Sequence, residues 1–157
     1  MHIQIQSHIQ KLDHLYSKVE GILDPNDKTE WSKYLCVLTA GLIEESFRVL
    51  LLNHAKNNSS IEIQRFLEAE IKRITNCKTT RILEILTKYD PIWCTNFQEE
   101  IKLRSNVDNE IKDSIDSVVQ NRHMIAHGKS VGISYSILNK YYSFVKKAIQ
   151  ILDNTIT

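Results

Sequence analysis

Apolar side chains recur at three- and four-residue steps along most of this chain, the mark of amphipathic helices. Starting from Ile5, the positions Ile9, Leu12, Leu15/Tyr16, Val19 and Ile22/Leu23 form one such stripe. Asp24-Pro25-Asn26-Asp27 stops it, because Pro25 disfavours helical geometry at Asp24 and the Asx residues suit a turn. Asp27, with Glu30 three residues on, reads as the N-cap of a second helix carrying Trp31, Tyr34/Leu35, Leu38, Leu42 and Val49 to about Ala55. Asn57-Asn58-Ser59-Ser60 closes it, with either serine able to cap a third helix over Ile61 to Ile74. A fourth is expected from Thr79 to Lys88, before Tyr89-Asp90-Pro91, and the segment from Trp93 to Leu103 is the least clearly patterned. Asn106 or Asp108 then opens a long helix through Ile111, Ile115 and Val118/Val119 to His127, where Gly128 fits the C′ position and Gly132 follows. Ser134 or Ser136 opens a last helix with Ile137/Leu138, Tyr141, Val145, Ala148 and Ile151/Leu152. The expectation is an all-α antiparallel bundle of about five to six helices, one domain over residues 1–157 without repeats or linkers.

Composition fits that picture. A chain of 157 residues buries roughly 70% of its unfolded surface, enough for its own core. Four glycines and two prolines are too few for the many turns of a sandwich or barrel. The net charge of +1, from 20 basic and 19 acidic residues, gives no bulk preference for an anionic partner, so any nucleic-acid affinity must be local. Cys36, Cys77 and Cys94 are far apart, form no CxxC and group with no histidine at zinc spacing; they read as reduced thiols in a cytoplasmic protein. The start lacks the basic region and apolar block of a secretory signal, and the longest aliphatic run, Val49 to Leu52, is too short for a bilayer. No membrane partner, metal or cofactor is expected.

One stretch carries candidate chemistry: Asn121-Arg122-His123-Met124-Ile125-Ala126-His127-Gly128. Arg122 lies eleven residues after Ile111, about three helical turns plus 20°, and so falls on the stripe of Ile111, Ile115 and Val118. A guanidinium cannot shed its charge, and on an inward face it needs an anion or a wet cleft. His127 follows at the helix end, with His123 one turn before it on the same face. Imidazoles take and give protons near neutral pH, and arginine matches phosphate oxygens with its planar fork, so the set suits phosphodiester chemistry. The simpler reading is that an arginine and a histidine near a helix C-terminus merely complement its dipole.

These eight residues resemble the Rx4-6H signature of the HEPN superfamily, with His123 in the slot for the polar residue after the arginine. The setting is similar too. The signature ends the penultimate long helix, a loop and one last helix follow, and Tyr34 to Ser46 resembles that fold's second helix; the RiboL-PSP-type branch looks nearest. The resemblance implies a metal-independent endoribonuclease acting as a homodimer, with two such segments facing each other across a cleft. It also implies a toxin or effector of a toxin–antitoxin or antiviral defence system, with an antitoxin or other defence partner. A subgroup paired with nucleotidyltransferases has Tyr two positions after the histidine; here Lys129 stands there.

On that reading Arg122 and His127 are catalytic, with Asn121, His123 and Glu45 as accessories. Lys129 beside the site, and Lys72, Arg73, Lys78 and Arg81 in a stretch without acids, are candidate RNA contacts, although a solvated helix face explains such a run equally well. His8, His14 and His54 lack partners at metal-binding spacing, and Tyr141-Tyr142 fits packing better than base stacking. Two rival readings stand: a catalytically silent HEPN-like dimerisation or RNA-binding module, and a plain helical scaffold in which Arg122 pairs with Glu44 or Glu45.

Overall fold

The structure, a computed structural model, describes residues 1–129 and 131–156. Seven α-helices and no strand occur among them: α1 (Ile3–Glu20), α2 (Pro25–Asn58), α3 (Ile61–Ile71), α4 (Thr79–Tyr89), α5 (Pro91–Leu103), α6 (Glu110–Ala126) and α7 (Tyr135–Thr155). The weakly patterned stretch before residue 103 is thus a full helix, which takes the bundle past five or six.

Two of the boundaries come from one device. Asp24 accepts hydrogen bonds from the backbone N–H groups of Asn26 and Asp27, both at 2.9 Å, and Pro25 occupies the first helical position. Asp90 likewise accepts from Ile92 N–H at 2.8 Å ahead of Pro91. Proline at that position loses no hydrogen bond and arrives with a helical φ. The Asp24-Pro25 pair that reads as a stop is therefore also the start of α2, and the cap is Asp24, not Asp27. α6 begins after Asn109, in the left-handed region at φ 63°, rather than at Asn106 or Asp108.

α2 is the axis of the bundle. Its buried residues, from Ser32 and Leu35 to Leu51 and Ala55, cover roughly two thirds of the helix circumference and leave a strip with Tyr34 and Glu45 exposed, as expected for a helix packed against several others. It packs against α1, α3, α6 and α7. α1 runs antiparallel to α7: Met1 meets Asp153 at 3.0 Å, Tyr142 donates to Asp13 at 2.8 Å, and Tyr135 donates to the Tyr16 carbonyl at 2.8 Å. The Tyr16 and Tyr142 rings stack at 4.2 Å, and the Tyr16 hydroxyl meets Thr39 Oγ1 of α2 at 2.7 Å, so these polar atoms are buried with partners. One apolar cluster, with Phe47 and Phe97 fully enclosed, runs through all of this. None of the described helices is long and apolar enough to cross a membrane.

Burial pushes the thiols of Cys36 and Cys77 up to about 12, and it raises the phenols of Tyr16 and Tyr142 as well. All four groups hold their protons when folded and release them sooner when unfolded. Their contribution is therefore intact below about pH 9 and is lost as pH rises, by up to roughly 1.4 kcal/mol per pH unit for each group. Chemical denaturation between pH 8 and pH 11 should show the fall. At pH 8 a thiol reagent should label half-buried Cys94 first and reach Cys36 and Cys77 only with denaturant.

Candidate active site

α6 leaves the core as it ends. Ile111, Ser114, Ile115, Val118 and Val119 are buried, Asn121 and Arg122 are half-buried, and His123 and His127 are exposed. The helix closes in a Schellman motif: Gly128 N–H donates to the Ile125 carbonyl at 3.0 Å and Lys129 N–H to the Met124 carbonyl at 2.9 Å. Gly128 sits at φ +66°, a left-handed conformation that L side chains resist. This fold-back fixes where His127, the C-cap residue, stands. Val131 and Ile133, both buried, then pin the chain before α7.

The two imidazoles are close, with ring centroids 4.4 Å apart at 60°. Arg122 precedes His123 on the same turn, and its Nη1 donates to Asn76 Oδ1 at 3.4 Å. No carboxylate pairs with Arg122 among the described residues. The plain-scaffold reading placed Glu44 or Glu45 on that guanidinium, and neither is its partner.

Asn76 belongs to the loop between α3 and α4, which is bolted to two helices. Arg48 of α2 donates through Nε to the Ile74 carbonyl at 2.9 Å, with Nη2 on the same oxygen. Buried Glu44 accepts the Asn76 backbone N–H at 2.8 Å and lies 3.8 Å from Arg48. On the α6 side, Asp116 accepts from Thr79 N–H at 2.7 Å and Lys78 donates to Gln120 Oε1 at 2.7 Å. Asn76 holds φ 52°, a left-handed conformation that asparagine tolerates better than most residues. A chain thus runs from Arg48 and Glu44 through Asn76 to Arg122. Sequence reasoning missed Asn76; its one local sign is an asparagine in a short loop, which marks a turn and no chemistry.

The other candidates scatter. Asn121 Nδ2 donates to the Ser117 carbonyl one turn back, at 2.8 Å. Glu45 is exposed, 3.5 Å from Arg48, and close enough to His8 of α1 for its charge to raise that imidazole against the lowering effect of burial. Among the acids of α2 it is Glu44 that connects to Arg122. Lys72 pairs with Glu68 at 2.9 Å, Arg73 with Glu70 at 2.9 Å and Arg81 with Glu84 at 3.1 Å. Lys78 and Lys129 have no carboxylate partner among the described residues. Tyr142 is a core residue, stacked on Tyr16.

An all-helical bundle with Arg-x4-His at the end of its penultimate helix is HEPN-type in fold. The family model of RiboL-PSP-HEPN matches residues 3–157, and the chain belongs to that family. Nothing matches it among curated proteins or among solved structures.

Because nothing lies within 4 Å of a Cβ placed on Gly128, replacing it tests backbone strain alone. Gly128→Ala should cost about 1–2 kcal/mol in denaturant unfolding, and Gly128→Asn less, since asparagine accepts the left-handed region more readily.

Proposed function

We propose that the chain is a single HEPN-like domain and a metal-independent endoribonuclease, active as a homodimer whose two copies of Arg122 and His127 face one cleft. The observation that carries this reading is Arg122, a permanent cation without a carboxylate among the described residues, one turn from a pair of exposed imidazoles. Membership in the RiboL-PSP-HEPN family supports an RNA-related role.

In the proposed reaction a ribose 2′-hydroxyl attacks the adjacent phosphorus and the bond to the 5′-oxygen breaks. His127 takes the 2′ proton, and the partner's His127 gives one to the leaving oxygen. The products are a 2′,3′-cyclic phosphate and a 5′-hydroxyl. Arg122 neutralises the charge that builds on the pentavalent phosphate, a service that works best from a donor already in place. Asn76 helps to aim it. His123 orients the neighbouring imidazole, and Lys78 and Lys129 meet the RNA backbone. The cellular setting that fits is a cytoplasmic toxin or effector of a prokaryotic toxin–antitoxin or antiviral system, restrained by a partner protein.

The test is cleavage of single-stranded RNA in chelator, with product ends mapped. His127→Ala should slow cutting by roughly 10²–10⁴-fold, and Arg122→Ala by about 10²–10³-fold. Both sites lie outside the core, so unfolding free energies should move by only about 0.5 kcal/mol. If the variants fold and cut at the parental rate, the assignment is wrong. A parent that binds RNA without cutting it is instead a silent binding module. Growth arrest on expression, relieved by His127→Ala, would tie the activity to a toxin role.

A further inference from the structure

His123 and His127 stand one helical turn apart with ring centroids 4.4 Å from each other, both exposed. Two histidines at this spacing on one helix face are the ligand pair of the zinc-protease helix, in which a glutamate follows the first histidine; here Met124 stands in its place. The ring separation suits shared ligation. With metal–nitrogen bonds of about 2.1 Å, two imidazoles on one ion hold their centroids roughly 4.6 Å apart at a right angle and roughly 5.3 Å apart at a tetrahedral one, so rings 4.4 Å apart need to open by only about 0.2–0.9 Å to share an ion. No third His, Cys, Asp or Glu completes a cage among the described residues, so water would fill the remaining positions.

We propose that His123 and His127 chelate one divalent transition-metal ion, of the zinc and copper class that imidazole favours, and that the bound ion inhibits the chain. The first ligation makes the second intramolecular, which raises affinity by roughly 10²-fold over a lone histidine. Charge sets limits in both directions. Arg122 and Lys129 stand beside the pair and oppose a cation, whereas the carbonyl end of α6 attracts one. A two-nitrogen site under those conditions is reversible, in keeping with a regulator and not a structural ion. Occupation ties up the imidazole lone pair that the proposed base needs, so metal and proton transfer exclude each other. This second half rests on the ribonuclease reading; the first does not.

The test titrates the full chain with zinc, nickel and copper chlorides by calorimetry, and repeats the RNA assay with and without each salt. One ion per chain should bind, copper most tightly. His123→Ala and His123→Gln should each weaken binding about a hundredfold, while His2→Ala and His14→Ala leave it unchanged. The metal should slow RNA cutting by the parent, and chelator should restore it. If either His123 variant binds as the parent does, the chelate is refuted. Binding that depends on His123 yet leaves cutting untouched refutes the inhibition. Binding that depends on His123 in a chain that never cuts RNA upholds the chelate and overturns the ribonuclease reading instead.

Discussion

Glu44 is buried, 8% exposed, in the middle of the longest helix, and the structure around the site depends on how its carboxylate is met. A buried carboxylate without partners costs several kcal/mol. Glu44 finds the Asn76 N–H at 2.8 Å, with Arg48 at 3.8 Å. Arg48 spends its own donors on the Ile74 carbonyl. Both the Glu44–Asn76 and the Arg48–Ile74 contacts land on the loop between α3 and α4, so meeting one charge also ties down that segment. Cys77 and Thr79 beyond it are buried, Asp116 holds the Thr79 N–H where α4 starts, and the Asn76 side chain accepts from Arg122. Cys77 registers the same charge, since Glu44 adds to the effect of burial in raising its thiol.

That arrangement accounts for what α6 does at its end. Its first three turns are held by core packing through Ile111, Ile115, Val118 and Val119. Past Val119 the core runs out, and the polar frame built on Glu44 takes over on one side while the fold-back at Gly128 closes the helix on the other. Arg122, His123 and His127 therefore stand on a rigid element yet face solvent. Chemistry on a large anionic substrate needs that combination, because groups must be both positioned and reachable. Asn76 satisfies a donor of Arg122 without neutralising it. A carboxylate in that place would leave no charge for a phosphate.

The helices were readable from spacing because their packing faces repeat at 3.6 residues, and α1, α4 and α7 follow that pattern closely. Starts were less readable: Asp-Pro is a turn signal and a cap-plus-N1 signal at once, and only the chain beyond it decides. Arg122 stands out in the sequence because its angle on α6 continues the stripe of Ile111, Ile115 and Val118; it is only half-buried because the core ends at Val119, before the helix does. Glu44 is buried and Glu45 exposed because neighbours on a helix point about 100° apart, and it is the side of α2 carrying Glu44 that faces the loop between α3 and α4. Asn76 lies 46 residues from Arg122 in sequence, and nothing local announces such a contact. The basic stretch is largely the solvated helix face that its composition also allows. Lys72, Arg73 and Arg81 sit one turn from Glu68, Glu70 and Glu84, acids that flank the basic stretch on either side.

Those pairings bear on how RNA could be held at all. Lys72 and Arg73 are 68% and 76% exposed, and ion pairs of that kind are worth about 0–1 kcal/mol. A phosphate can displace such a carboxylate, but it gains only the difference between two similar contacts. Among the described residues, the cations near α6 without a carboxylate partner are Arg122, Lys78 and Lys129, in a chain of net charge +1. Three such contacts on a single strand release few counterions, and affinity from that source is correspondingly small. The proposed dimer, with two chains meeting at α6, would double the number without changing a residue and bring a second His127 to the far side of the scissile bond. On the proposed ribonuclease reading, the sparse charge of one chain and the need for both an acid and a base call for the same thing, a second copy facing the first.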